Sequence, residues 1–409
     1  MTFDIVVIGA GPAGLCFARA LAGTGLRIAL IERQAQAALA EPEDDGREIA
    51  ITHATRHRMR ELGLWRHLRA EEIGVLRDAR VMDGDSRRNL MFRHAGSRKE
   101  QLGWLVSNHA IRRAAYAEVA DLPEVELMAD LRATAVRTNA EGATVQLDHG
   151  PCLEANLVVA ADNRHSHMRQ SMGIWASKHD FGKVMLVARM RHAVAHASVA
   201  WEWFGYGQTL ALLPLHEAHT SSVVVTLAPP EMQRLLAHDD AAFGAAIAER
   251  FQQRLGAMQV AGPRCAYPLV GVYADRFAAE RFALIGDAAV GMHPVTAHGF
   301  NFGLLGVTTL ARELRAAQAS GRPFWGADAL ERYARIHRLA TRPLYLLTQM
   351  LASLYTDDHG PAVVLRKLAL EAGSRLPPFR HAVVARLTRA RPRYRLPKLH
   401  RMPVEDRAV

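Results

Sequence analysis

The sequence contains two kinds of apolar pattern, and they occupy different parts of the chain. Nearly uninterrupted apolar runs, rich in β-branched residues, lie at 3–8, 27–31, 153–161 and 282–285. Such runs predict strands that are buried on both faces, as in a parallel sheet. The first run is followed by a helix-like segment and the second run, which is the order of an α/β fold.

Between residues 177 and 275 the pattern changes to shorter segments separated by turn residues. "KVMLVARMRHA", "SVAWEWFGYG", "TLALLPL" and "SSVVVTLA" predict strands of an antiparallel sheet. Residues 231–255 predict helix, and residues 76–95 predict two further short strands. Since the buried-strand pattern resumes at 281, we expect the antiparallel sheet to be inserted within the first unit.

These patterns divide the chain into three predicted parts. The first is a dinucleotide-binding unit, the second a β-sheet substrate domain, and the third a group of C-terminal amphipathic helices with a basic tail. Their predicted boundaries are 1–75 plus 100–176 plus 277–345 for the first, 76–99 plus 177–276 for the second, and 346–409 for the third.

Length and composition exclude several classes of protein. The 409 residues with 49% apolar content suffice for a sizeable core, and no apolar stretch reaches the ~18 residues of a membrane span. A strand pattern begins at residue 3 and leaves no room for a signal peptide. The three cysteines have no metal-binding or redox spacing. We therefore expect a cytoplasmic protein with reduced thiols.

Charge adds one feature to this picture. The net charge is +10, and residues 386–401 contain seven Lys or Arg with no Asp or Glu. A solvated tail and contact with the inner face of the anionic cytoplasmic membrane both fit this composition. No nucleic-acid-binding motif accompanies it. His53 and His57 are four residues apart but lack a third ligand, so no metal site is predicted.

The first strand runs into a glycine-rich loop, "GAGPAG". Gly9 permits the tight turn, Gly11 lets the backbone approach a pyrophosphate, and Gly14 lets the following helix pack on the strand. Pro12 and Ala13 complete the loop, and Glu32, followed by Arg33, ends the second strand where an acid binds a ribose hydroxyl. FAD and NAD both fit this fingerprint.

A second cluster, "LIGDAAVGMHPVTAHGFNFGLLG", lies at residues 284–306. Asp287 ends a strand, and an apolar helix begins near Gly299 with its N-terminus free to face a ligand. Two acids and two helix ends from opposite ends of the chain suit one long dinucleotide, and FAD is such a ligand.

These motifs carry a family resemblance. "GAGPAG", "VVAADNRHS" and "LIGDAAVGMHPVTAHGFNFGL" together resemble the flavoprotein aromatic hydroxylases of the para-hydroxybenzoate hydroxylase type. "DGREIAITHATRHRMRELGLW" is similar to the ubiquinone-biosynthesis hydroxylases, and "HPVTAHGFNFGLLG" to their branch acting on demethoxyubiquinol. The resemblance extends to about residue 385. It implies a Rossmann-like FAD/NAD(P)-binding domain with an inserted mixed, largely antiparallel β-sheet substrate domain and C-terminal helices.

The resemblance also implies roles for individual residues. It assigns the loop glycines and Glu32 to the ADP half of FAD, and the 299–301 backbone to the flavin pyrimidine edge. The other residues that it places at FAD are Arg47 near the pyrophosphate, Asn108, Asp162 of an Asp-Gly motif, Asp287 at the ribityl hydroxyls, Pro294 beside the ring, and Gly299, Phe300 and Asn301.

The sequence departs from this family pattern at two places. Asn163 replaces the glycine of Asp-Gly; we expect a turn there, because Asn tolerates left-handed geometry. Ala297-His298 replaces Gly-Gln, and His298 either hydrogen-bonds the flavin or points away from it. Pro294, His298 and Tyr206 are the candidate catalytic residues. Trp201, Trp203, Phe204 and Tyr206 are candidates to line the substrate pocket, with ordinary sheet packing as the alternative.

The chemistry that the resemblance implies uses NAD(P)H, O2 and FAD. Reduced flavin forms a C4a-hydroperoxide, which hydroxylates a polyprenylated quinol or phenol. Other ubiquinone-biosynthesis proteins are expected partners. The alternatives are a hydroxylase of a small aromatic compound, a flavin halogenase, a prenyl reductase, and a non-catalytic flavin- or quinone-binding subunit.

Overall fold

Strands and helices follow one another along the chain largely as the apolar patterns predict. A computed structural model of the protein describes residues 1–84, 89–96, 99–205, 207–292, 299–356 and the isolated positions 384, 385 and 388. The strands are β1 Thr2–Ile8, β2 Ile28–Ile31, β3 Glu48–Ile51, β4 Ile73–Leu76, β5 Asp78–Asp83, β6 Asn89–Phe92, β7 Gly103–Ser107, β8 Val125–Met128, β9 Ala133–Thr138, β10 Ala143–Leu147, β11 Leu153–Ala160, β12 Ala176–His192, β13 Val199–Phe204, β14 Thr209–Pro214, β15 Thr220–Leu227, β16 Met258–Ala274, β17 Ala278–Ala279, β18 Phe282–Leu284 and β19 Val290–Gly291.

Nine α-helices lie in the described part of the chain. They are α1 Pro12–Leu21, α2 Gln36–Ala40, α3 His53–Glu61, α4 Asn108–Ala117, α5 His167–Ser171, α6 Pro229–Leu236, α7 Asp240–Arg250, α8 Gly299–Ala319 and α9 Ala327–Thr356. Short 3-10 turns are found at Leu64–His67, Ala70–Glu72, His94–Gly96 and Gly286–Ala288.

The four apolar runs form β1, β2, β11 and β18 of the first sheet, whose order is β17-β18-β11-β1-β2-β8; β17 is antiparallel to its neighbour β18. β1 pairs in parallel with β11 and β2, and β11 pairs in parallel with β18. β9 and β10 extend this sheet as an antiparallel pair on β11. Because helices cover the sheet, residues such as Val6, Leu30 and Val159 are completely buried. The carboxyl ends of β1 and β11 therefore meet at one edge, where a nucleotide binds in this kind of fold.

The second sheet is mostly antiparallel, in the order β19-β16-β12-β15-β14-β13-β5-β6. Only the β13–β5 pair within it is parallel. Its outer face packs on α6 and α7 through a core that includes Trp201, Trp203 and Phe243. A third, small sheet has the strand order β3-β7-β4. The predicted α/β fold class, Rossmann-like with a largely antiparallel second sheet, is confirmed.

β16 is the one long strand that the patterns do not predict. It has 17 residues, although it contains Gly262, Pro263 and Pro268. The β12–β16 register shifts between Ala188 and Met190, opposite residues 260–264, so Gly262 and Pro263 lie in an irregular stretch of the ladder. A strand accommodates proline at such a bulge because no ladder hydrogen bond is lost there.

The C-terminal part is only partly described. α9 continues from Ala327 to Thr356 with Pro343 inside it, so the predicted boundary at 345/346 falls within one helix. The basic run at 386–401 lies outside the described residues except for Thr388. None of the described helices combines the length and apolarity required to cross a membrane.

Candidate active site

The glycine-rich loop has the geometry that its spacing predicts. Gly9 has φ +105°, and a side chain there would meet the Ala161 carbonyl oxygen at 2.7 Å. A Cβ at Gly14 would overlap the Gly9 carbonyl oxygen, whereas a Cβ at Gly11 would have nothing within 4 Å. The space above Gly11 is where a phosphate can approach the backbone, at the start of α1.

Glu32 supports the same loop from the end of β2. One carboxylate oxygen accepts a hydrogen bond from the Ala10 N–H at 2.8 Å, and the other accepts one from the Gln34 N–H at 3.1 Å. Glu32, Arg33 and Gln34 all line the cavity described below. The Glu32 carboxylate thus stabilises the glycine-rich loop, and it does so from the position expected for a ribose contact.

The late cluster lies against this loop, although the two are far apart in sequence. Gly286 has φ +61°, and a Cβ there would be 2.8 Å from the Ala13 Cβ. The adjacent Asp287 is ion-paired with Arg164 at 3.2 Å. Gly299 and Phe300, at the N-terminus of α8, line the same cavity, and a Cβ at Gly299 would meet nothing within 4 Å. The two halves of the predicted dinucleotide site are therefore adjacent in space.

A cavity of about 1110 Å³ joins these loops to the second sheet. Its walls include the loop residues around Gly9 and Asp287 at one end and the inner face of β12, β14 and β15 at the other. Met185, Val187 and Leu269 form an apolar cluster on that inner face. The open backbone at Gly11 and Gly299, and the extension of the cavity from both glycine loops to the second sheet, fit FAD.

Asp162 adds an observation that points to a ligand. It follows β11 at the carboxyl edge of the sheet and lines the cavity. Its Oδ1 atom is buried and has no hydrogen-bond partner within the described structure, and burial raises the pKa of this carboxyl against the opposing hydrogen bond of Ser166. A buried polar atom without a partner is costly, so this oxygen is available to a bound group.

The turn after Asp162 forms in a different way from the one expected. The φ angle of Asn163 is not positive. Its side-chain oxygen instead accepts the His165 N–H at 2.8 Å, and its carbonyl accepts the Ser166 N–H at 2.9 Å. The expectation of left-handed geometry is wrong, because an Asn side chain can close a turn by this local hydrogen bond.

Arg47 and Asn108 meet at a carboxylate that the sequence did not single out. Asp45 accepts hydrogen bonds from Arg47 Nε at 2.9 Å and from Asn108 Nδ2 at 2.7 Å. Although burial opposes ionisation, these hydrogen bonds hold the pKa of Asp45 below its usual value. The Arg47 guanidinium also lies 5.5 Å from the centre of the Tyr267 ring, and the Tyr267 hydroxyl donates to the Asp45 carbonyl at 2.7 Å.

This arrangement fixes Arg47 and Asn108 beside the cavity, which both residues line. Their role at FAD stays a prediction. The acidic loop 40–46 is packed in part, since Pro42 and Gly46 are buried. Asp45 could not be found from sequence because its contacts with Asn108 and Tyr267 are long-range and because it lies in a segment of loop composition.

An ion pair links the small sheet to the second sheet. Glu48 on β3 has a side chain only 4% exposed, and it pairs with Arg189 on β12 at 3.0 Å. Burial raises the pKa of Glu48 to about 7, against the opposing effect of Arg189. Glu48 also lines the cavity.

The inner face of the second sheet corrects the predicted pocket lining. Trp201 and Trp203 lie in the core formed with α6 and α7, and Phe204 is also absent from the cavity wall. Their neighbour Glu202 faces the cavity, together with Thr209, Ala211, Leu213, Val224 and Thr226. Both faces of β13 are covered, so the alternation of "VAWEWF" could not show which face meets the cavity.

Asn301 has a structural contact of its own. Its Nδ2 donates to the Ala50 carbonyl at 2.8 Å, and its Oδ1 accepts the Thr52 N–H at 3.2 Å. The side chain therefore ties α8 to the corner between β3 and α3. Three further candidates, Tyr206, Pro294 and His298, lie outside the described residues.

Comparisons with known proteins agree with this geometry. The FAD binding domain family matches residues 2–338. The chain is 43% identical to ubiquinone hydroxylase UbiM of Neisseria meningitidis, over 94% of this chain and 84% of that protein. It is 34% identical to ubiquinone hydroxylase UbiL of Rhodospirillum rubrum, over 92% of this chain and 87% of that protein.

A solved structure shares the fold at low identity. The p-nitrophenol 4-monooxygenase PnpA of Pseudomonas putida superposes with a TM-score of 0.76 at 17% identity, covering 94% of this chain and 97% of that chain. The sequence motifs, the split dinucleotide site and these matches agree: the chain belongs to the FAD binding domain family and, within it, to the FAD-dependent ubiquinone-biosynthesis hydroxylases.

Proposed function

We propose that the protein is an FAD-dependent monooxygenase of ubiquinone biosynthesis. It hydroxylates the aromatic ring of a polyprenylated quinol, demethoxyubiquinol, and uses NAD(P)H and O2. The observation that supports this best is the single cavity that runs from the two glycine loops to the apolar inner face of the second sheet. Two relatives with high coverage bear the name ubiquinone hydroxylase.

The cofactor is held by backbone and acids from both ends of the chain. The loop from Gly9 to Gly14 receives the pyrophosphate at the N-terminus of α1, and Glu32 receives the ribose. Asp287 receives the ribityl chain, with Arg164 orienting its carboxylate. Arg47, held by Asp45, supplies positive charge beside the phosphates. The chemistry that FAD supplies when bound is the activation of O2 for insertion of one oxygen atom into an aromatic ring, after reduction by NAD(P)H.

The protein contributes electrostatics and exclusion of water. The N-terminal N–H groups of α8, at Gly299 and Phe300, present the positive end of a 21-residue helix to the cavity. They stabilise negative charge at the flavin pyrimidine edge. The apolar cluster of Met185, Val187 and Leu269 covers the opposite end, which receives the substrate ring and keeps water from it.

A quinol with a polyprenyl chain resides in the bilayer, so we also propose peripheral contact with the membrane. α9 exposes Leu339, Leu346 and Met350, with exposed fractions of 73%, 52% and 62%. Their spacing of seven and four residues puts them on one face of the helix. An apolar helix face followed in the sequence by a basic C-terminal segment is typical of interfacial binding.

Complementation tests the function in cells. The gene is expressed in bacterial strains that each lack one ubiquinone-pathway hydroxylase, and the quinones are profiled by mass spectrometry. We expect the strain that accumulates demethoxyubiquinol to regain ubiquinone. Rescue of none of the strains, with the protein expressed and loaded with FAD, would contradict the proposal.

A further inference from the structure

The part of the cavity wall formed by β13, β14 and β15 contains one carboxyl group among neutral side chains. Glu202 lies in the middle of β13, paired in register with Ala211 of β14 on one side and Val81 of β5 on the other. The residues around it on the inner face are Thr209, Leu213, Val224 and Thr226. An ionisable side chain at this central position of a sheet needs a reason, because a branched apolar residue would fit it better.

Packing does not supply that reason. Within the described structure, Glu202 makes no hydrogen bond and no ion pair, and burial alone raises its pKa to about 8. β14 and β15 contribute no charged side chain to this face. A carboxyl group without a partner lowers the stability of the folded protein, and such groups persist chiefly where they act on a ligand.

Several charged groups near the cavity or on neighbouring strands already have partners, and Asp162, whose Oδ1 has none, lies at the dinucleotide end of the cavity after β11. Glu48 pairs with Arg189, Asp45 with Arg47, and Asp287 with Arg164. On the adjacent strand β5, Asp78 pairs with His94. The Arg80 guanidinium lies 5.8 Å from the Trp201 ring, on the outer face of the sheet, and Asp83 ends that strand with interactions of its own. Glu202 is thus left to interact with whatever enters the substrate end.

We propose that Glu202 binds a hydroxyl group of the substrate ring and accepts its proton during hydroxylation. The inference rests on the proposed function, since it assigns a residue to that reaction. As the substrate O–H bond breaks, an O–H bond forms on the Glu202 carboxylate. The electron pair left on the phenolic oxygen moves into the ring and makes its ortho and para carbons more nucleophilic toward the transferred oxygen. The proton returns to the product oxygen once the ring carbon has lost its hydrogen.

Binding measurements on the FAD-loaded protein test the first half of this proposal. The probes are 2-methoxyphenol and its methyl ether, 1,2-dimethoxybenzene, measured by equilibrium dialysis at pH 8.5, roughly half a unit above the pKa of about 8. A hydrogen bond to a charged group corresponds to ~10- to 100-fold in affinity. We expect the wild type to prefer the phenol by that factor and Glu202→Leu to bind both probes equally. Glu154→Gln, an exposed strand carboxylate outside the cavity, is the matched control.

Kinetics test the second half. Glu202→Gln keeps the shape of the side chain but cannot take a proton, so we expect kcat to fall ~100-fold or more with a small change in KM. The wild-type kcat/KM is expected to rise with pH to a plateau above about pH 8, and Glu202→Gln is expected to lose that rise. A Glu202→Leu protein that still prefers the phenol, or a Glu202→Gln protein with wild-type kcat and pH profile, overturns the inference.

The two proposals fail in different ways. If the wild type hydroxylates the quinol and both Glu202 variants behave like it, the function stands and the role of Glu202 is wrong. If the wild type prefers the phenol through Glu202 but hydroxylates no quinol, the binding site stands and the proposed reaction is wrong.

Discussion

At the scale of single residues, the site depends on carboxylates and on the side chains that pair with them. Asp45 gathers Arg47 and Asn108, and Arg164 pairs with Asp287. The Asp45–Asn108 and Arg164–Asp287 contacts join residues far apart in the sequence, whereas Arg47 is only two residues from Asp45. A motif can be read from neighbouring residues, but the long-range partners become visible only when the fold brings them together.

Glu202 makes stability depend on pH in a defined direction. Its pKa is about 8 in the folded protein against 4.5 ordinarily, so the folded state holds the proton more tightly than the unfolded state. Between pH 4.5 and 8 the unfolded chain loses that proton first, and the folded state becomes less stable as pH rises. Above pH 8 the loss is complete and amounts to a few kcal/mol, roughly 3–5.

We therefore expect Glu202→Gln to be more stable than the wild type at pH 8.5, and the difference to shrink toward pH 5, near the ordinary value of 4.5. Thermal unfolding of both proteins at a series of pH values measures this difference. Glu154→Gln controls for the loss of an exposed carboxylate. If the midpoint temperatures of the wild type and Glu202→Gln differed by the same amount at every pH, Glu202 would not be a buried acid.

At the scale of elements, the glycine loop and β1, α1 and β2 could be predicted because their signals are local and periodic. β16 could not, because Gly262, Pro263 and Pro268 normally end a strand and only the bulged pairing with β12 permits them. The orientation of β13 relative to the cavity could not be predicted from the sequence either. Both of its sides are covered, and hydrophobicity cannot show which one meets a cavity.

The glycine loop offers a matched pair of variants. A methyl group at Gly11 fits the folded protein, since nothing lies within 4 Å of it, but it occupies the space above the loop. A methyl group at Gly14 overlaps the Gly9 carbonyl oxygen and forces α1 away from β1. We expect Gly11→Ala to fold with at least ~10-fold weaker FAD affinity, and Gly14→Ala to lose a few kcal/mol of stability, on the order of 2–4.

Far-ultraviolet circular dichroism and thermal unfolding report the fold of these variants, and flavin fluorescence in a titration reports the affinity. Equal FAD affinity in Gly11→Ala and the wild type would mean that the phosphates do not approach this loop.

At the scale of the whole molecule, three features fit a protein that takes its substrate from a membrane. The cavity joins the two sheets, α9 exposes an apolar face, and the net charge of the chain is +10. A protein that draws a hydrophobic quinol from a bilayer needs these features together. The division into an FAD-binding and a substrate domain is consistent with this view and stays a proposal.

The apolar face of α9 can be tested without disturbing the site. Replacing Leu339, Leu346 and Met350 with Gln removes exposed apolar surface, and we expect at least ~10-fold weaker binding to vesicles that contain anionic lipid. The control is Glu331→Gln with Arg335→Gln, which changes exposed residues of the same helix and keeps the net charge. Vesicle sedimentation measures the binding of the triple variant and of the control. Equal binding by the triple variant and the wild type would contradict membrane contact through this face.

The central claim is the insertion of one oxygen atom from O2 into a quinol ring. The FAD-loaded protein is incubated with a short-chain demethoxyubiquinol, NADH or NADPH, and O2 labelled with the heavy oxygen isotope, and the quinol is analysed by mass spectrometry. We expect a product that carries one heavy oxygen atom, and NAD(P)H oxidation that is faster when the quinol is present. A quinol recovered unchanged, with NAD(P)H oxidation indifferent to its presence, would contradict it.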